Sequence, residues 1–85
     1  MTEVLITKIY RDALNDISLF PPNDYHIHTI YEIIENNVEI PTEHFEDRPT
    51  VKFPKWKNYI HTVLPTIERI KSLKPEGRPE WHRFK

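Results

Sequence analysis

The side chains in this 85-residue sequence with the most usable chemistry are five histidines, a run of lysines and a cluster of carboxylates. His26 and His28 form a His-x-His pair, and imidazole is a common metal ligand. Two residues apart on a helix, however, they project about 200° from each other and do not reach one ion. Glu43, His44, Glu46 and Asp47 combine carboxylates with an imidazole, the groups that exchange protons in acid–base catalysis. No nucleophile, paired lysine or phosphate-cradling loop accompanies them, so the expectation is an acidic loop, no catalytic residue and no enzyme. Gly77 is the sole glycine, which excludes Walker-type and dinucleotide-binding loops. The absence of cysteine excludes disulfides and finger-type zinc sites, so no metal and no cofactor is expected.

The cations are more informative. Lys52, Lys55 and Lys57 crowd the start of a helical pattern, where positive charge opposes the helix dipole and calls for a compensating anion. A phosphate would supply one; a solvated face is the plainer alternative. Asn58 follows, an amide able to pair with adenine in a major groove or simply to face water. His61, Thr62 and Arg69 lie with Lys57 and Asn58 largely off the apolar stripe of the same helix, and Lys74, Arg78, His82 and Arg83 surround Gly77 further on. The whole chain is net −1, yet residues 1–47 are net −8 and residues 48–85 net +7. A molecule so divided attracts a polyanion with one half, or holds its two halves together.

Elements must position these groups. Val4, Leu5, Ile9, Ala13 and Ile17 recur at helical spacing, with Tyr10 and Leu14 beside them, predicting a helix over residues 3–17 capped by Thr2. Phe20-Pro21-Pro22 ends it. Asp24 is the expected N-cap of a second helix, whose stripe is Ile27, Ile30, Tyr31 and Ile34 and which ends near Asn36-Asn37. Residues 38–53 are punctuated by Pro41, Pro49 and Pro54 and read as irregular, with one helical turn at Thr42–Phe45. Trp56, Ile60, Val63, Ile67 and Ile70 predict a third helix over residues 54–71, kinked or broken at Pro65. Gly77, between Pro75 and Pro79, predicts a turn, and Trp81-His82-Arg83-Phe84 alternates as a short strand. Trp56 and Trp81 belong to the apolar pattern and are expected in the core rather than stacked on a base.

With 38% hydrophobic and 29% charged residues, the chain has the composition of one globular domain, residues 1–85. No run is apolar enough to span a membrane, and the first residues lack a basic signal-peptide region. A cytoplasmic protein without membrane partners is the expectation. Three helices followed by a turn and a strand pair, with the basic groups on the third helix and the terminal hairpin, are the parts of a winged helix-turn-helix: mainly α with a small β-wing.

Lys55-Trp56-Lys57-Asn58, with Pro41–Phe45 before it and Gly77 and Trp81 after it, resembles the N-terminal winged-helix domain of Mrr-type restriction endonucleases over residues 25–84. Pro65 and Ser72-Leu73-Lys74-Pro75 depart from that pattern. The resemblance implies a DNA-reading domain of a restriction or mobile-element system, with cutting left to a separate nuclease domain or partner chain. Double-stranded DNA is then the expected partner, read by Lys57, Asn58, His61, Thr62 and Arg69 on the helix and Lys74, Arg78, His82 and Arg83 on the wing. Lys52 and Lys55 would anchor phosphates, and His61 and His82 would raise affinity as pH falls through about 6.5. The alternative is a winged helix that docks a protein or forms a homodimer.

Overall fold

In the computed structural model, residues 3–85 are described, and within the first helix the side chains from Thr7 onward. That helix, α1, spans Glu3–Asn15 and buries Tyr10, Ala13 and Leu14. Thr2, read as its cap, lies outside the described residues. The helix stops two residues before Ile17, which was expected on the apolar stripe and is instead 63% exposed. The cause is Asp16: its carboxylate accepts hydrogen bonds from the Ser18 backbone N–H at 2.9 Å and the Ser18 hydroxyl at 2.6 Å. This local closure competes with the helical ladder and turns the chain, dropping Phe20 into the core.

Asp24 does not cap the second helix. Residues Asn23–His26 form a strand, β1, and α2 begins at Ile27 and runs to Asn37. His26 supplies the cap, its Nδ1 accepting the His28 backbone N–H at 3.2 Å. The stripe of α2 is as its spacing requires: Ile27, Ile30, Tyr31 and Ile34 are all buried. The turn expected at Thr42–Phe45 is a 3-10 turn. Beyond it, where the sequence reads as irregular, Asp47–Arg48 (β2) and Val51–Pro54 (β3) pair as a small hairpin.

Helix α3 occupies Lys55–Val63 and buries Trp56, Ile60 and Val63. The long helix expected to residue 71 is absent, because Pro65 lacks the N–H that would continue the ladder. The chain makes a 3-10 turn over Leu64–Thr66 and re-emerges as strand β4, Ile70–Ser72. Ile67 and Ile70 are still buried, so core positions that looked like more helix are reached by a different backbone. The chain then turns over Lys74–Glu76 onto Gly77, whose φ of 83° is left-handed. There the Gly77 N–H donates to Lys74 O and the Arg78 N–H to Leu73 O, both at 3.0 Å, the paired bonds of a Schellman closure.

Strand β5, Trp81–Phe84, is central to a three-stranded antiparallel sheet of order β1-β5-β4. Asn23 faces Phe84 and His26 faces Trp81 on one side; Ile70 faces Phe84 and Ser72 faces His82 on the other. The molecule is thus three helices against a small antiparallel sheet, with a core that includes Tyr10, Leu14, Phe20, Ile30, Ile34, Ile60 and Phe84. Phe20 and Phe84 stack at 4.9 Å, and Tyr25 stands edge-on to both. Trp56 is buried, at 3% exposure, whereas Trp81 is only partly so. Among the described residues no helix is long and apolar enough to cross a membrane.

Candidate functional site

A hollow of about 360 Å³ lies between α3 and the β4–β5 hairpin, over the start of α2. Ile27, His28 and Tyr31 enter it from α2, Lys57 and His61 from α3, and Phe53 from β3. Pro79, Glu80 and His82 close it from the hairpin. Two local features bring these elements together. The pairing of β1 with β5 sets the start of α2 against the hairpin's return, where the Ile27 N–H donates to Glu80 O at 2.8 Å. The spacing of Lys57 and His61, four residues apart, puts both on the same side of α3.

Tyr31 organises the interior. Its ring stands edge-on to Trp56 at 5.7 Å and to His61 at 5.8 Å, and its hydroxyl shares a hydrogen bond with His61 Nε2. Burial, with Glu80 adding to it, pushes the Tyr31 phenol up to about 12, so it stays protonated. Lys57 Nζ sits 4.9 Å over the Tyr31 ring and 5.6 Å over Trp56, a cation held by aromatic faces. Partial burial lowers the His61 imidazole below its ordinary value. Burial, then the neighbouring His61, does the same to His82, whose Nδ1 is buried without a hydrogen-bond partner. Both rings are therefore neutral at pH 7.

The eleven side chains singled out from the sequence divide into three groups. Lys57, His61 and His82 share the hollow. Lys52 on β3, Asn58 and Thr62 on α3 and Lys74 at the hairpin turn lie elsewhere on the surface, and Thr62 turns its hydroxyl back to Asn58 O at 3.0 Å. The remaining four are engaged within the fold. Lys55 Nζ is 3.8 Å from Glu46, so the anion called for at the start of α3 comes from the acidic loop. Arg83 Nε donates to Asp24 at 2.8 Å and Arg78 at 3.1 Å, and Arg78 also covers the Trp81 ring at 4.5 Å.

Arg69 is displaced furthest from its expected role. It lies past the end of α3, not on its recognition face, and donates to Phe20 O at 2.6 Å, Lys85 O at 3.1 Å and Leu14 O at 3.3 Å. It is a clamp between α1, the turn after it and the last strand. The two N-terminal histidines also differ from expectation. Because His26 is a cap rather than a helical residue, its ring stacks on that of His28 at 5.1 Å and 13°, and its Nε2 is 3.2 Å from Glu80. Among the described residues no three His, Asp or Glu side chains converge as metal ligands.

His28, Tyr31, Phe53 and Glu80 line the hollow without having been singled out for it. Tyr31 belongs to the apolar stripe of its helix, Phe53 falls at the end of the stretch that reads as irregular, and Glu80 is one acid in a basic stretch. Only the return of the hairpin onto α2 makes them neighbours. No protein-family model, curated protein or solved structure matches the chain.

Proposed function

We propose that the chain is a winged-helix DNA-binding module, with α3 as the helix that faces the groove and the β4–β5 hairpin as the wing. The observation that carries this reading is that Lys57 and His61 of the helix and His82 of the hairpin face one concavity. The element order is compatible with it: a helix, a strand, a helix, a small hairpin, a third helix and a second hairpin whose last strand pairs with the first strand. A helix fits the major groove, and a flanking hairpin with cations lies along phosphates. Lys52, Lys57 and Lys74, to which no carboxylate is paired among the described residues, are the phosphate contacts. On the Mrr-type resemblance, the module reads DNA for a separate nuclease domain or partner chain.

The test is a titration of the protein into a labelled duplex of arbitrary sequence at two salt concentrations. Lys57→Ala is expected to weaken binding and to make the slope of log affinity against log salt shallower by about 0.9, the signature of one lost phosphate contact. Affinity indifferent to salt and to Lys57 would overturn the reading.

A second reading, a protein-docking or homodimeric module, is favoured by one observation. Phe45 and Val51, at 48% and 49% exposure, present apolar surface while Arg78 and Arg83 are occupied by Asp24. Concentration-dependent association without DNA, lost in Val51→Asp, is its signature.

A further inference from the structure

We propose that the hollow between α3 and the hairpin is a nucleobase pocket, which receives one unpaired base turned out of the DNA. This rests on the DNA-binding reading and names what that face takes from its ligand. Size is the first argument. About 360 Å³ is at the small end of ligand pockets, suited to a one- or two-ring heterocycle and too small for a peptide segment.

The chemistry of the walls is the second. Phe53 supplies partly exposed, flat apolar surface, on which any base can stack because every base has a π-face, and the buried Tyr31 ring lies behind it beneath Lys57. Lys57 is a pure donor, Glu80 an acceptor, and His61 Nδ1 and His82 Nε2, the ring nitrogens neither bonded to Tyr31 nor buried, each add a donor or an acceptor according to tautomer. Such a mixture matches the alternating donors and acceptors on the edge of a base. Charge decides between occupants. The Lys57 cation and the Glu80 carboxylate both line the hollow, so its walls carry no net formal charge and suit a neutral planar group, while the flexible Lys57 side chain meets the phosphate of the same nucleotide. The cations Lys52 and Lys74 lie outside its lining and are left for phosphates.

Turning a base out of a duplex costs its pairing and stacking, least where the nucleotide is already unpaired. The experiment therefore compares three labelled duplexes of one sequence: fully paired, carrying one bulged adenine, and carrying an abasic residue at the bulge. The bulged duplex is expected to bind about tenfold tighter than the other two, within what one stacked base contributes. Phe53→Ala and the exposed change Glu80→Gln should shrink that advantage while leaving the paired duplex nearly unaffected; Lys52→Ala should weaken all three alike. Circular dichroism checks that each variant is folded.

Equal affinity for the three duplexes, with salt-sensitive binding intact, would overturn the pocket and leave DNA binding standing. Failure to bind any duplex would overturn both. Adenosine is the last arm: if it occupies the hollow, read from the His28 and Lys57 amide signals, and the bulge confers no advantage, the site takes free nucleosides and the extruded-base proposal is wrong.

Discussion

Asp24 takes two arginines that the sequence offered to a phosphate backbone. Arg83 first, then Arg78, hold its carboxyl below the usual carboxylate range. A depressed carboxylate stabilises the fold above its unfolded pKa, about 4, and that contribution is lost as pH falls through the lower folded value. Asp24→Asn is thus expected to lower Tm at pH 7, with the gap to the parent closing in acid. It should also free both guanidinium groups, so DNA affinity rises and its salt dependence steepens; unchanged DNA binding in a folded Asp24→Asn protein would show that these arginines do not face DNA. For His61 and His82 the lowered folded values mean that neutral rings are favoured in the native state. Their contribution to stability is complete above about pH 6.5 and is lost as pH falls through the folded values. Any gain in DNA affinity from protonation therefore begins below 6.5, not at it, which paired Tm and affinity profiles between pH 8 and pH 5 would register. Arg69 belongs to the same scale but to stability alone. With charged donors on three carbonyls, Arg69→Ala should cost about 2–3 kcal/mol in chemical denaturation.

At the scale of elements, the apolar stripes foretold the helices and mistook one strand for a helix. Ile30, Tyr31 and Ile34 mark α2 because each stays on one side of one helix. Ile67 and Ile70 continue the stripe of α3 in number but not in conformation, since Pro65 ends the ladder and β5 is waiting to pair with Ile70–Ser72. Asp47–Arg48 pairs with nearby Val51–Pro54 but at two residues is too short to show an alternation. The strand Asn23–His26 is set by a partner far along the chain, Trp81–Phe84, and local spacing carries no record of it. The same nonlocal pairing hid half the hollow: Lys57 and His61 were legible on their helix, whereas Glu80 reaches them only through the β1–β5 contact. Gly77 was legible because its reason is local. An added Cβ would meet nothing within 4 Å, so the cost of Gly77→Ala is backbone strain at positive φ, about 1–2 kcal/mol. Gly77→Asn should cost less, and equal losses in thermal denaturation would contradict a left-handed requirement.

Across the whole molecule the opposed charges of the two halves are partly spent on each other. Asp24 holds Arg78 and Arg83, and Glu46 approaches Lys55, so the +7 of residues 48–85 overstates what a polyanion meets. Of what remains, Lys57 lines one concave face with aromatic rings against it, and Lys52 and Lys74 lie elsewhere on the surface. The most direct test of that face is amide chemical-shift mapping while a duplex is added. The account predicts shifts at Lys57, His61, Lys74 and His82, with the exposed side of α1 at Lys8 and Asp12 unmoved. Shifts confined to the surroundings of Phe45 and Val51, growing with protein concentration and indifferent to DNA, would contradict it.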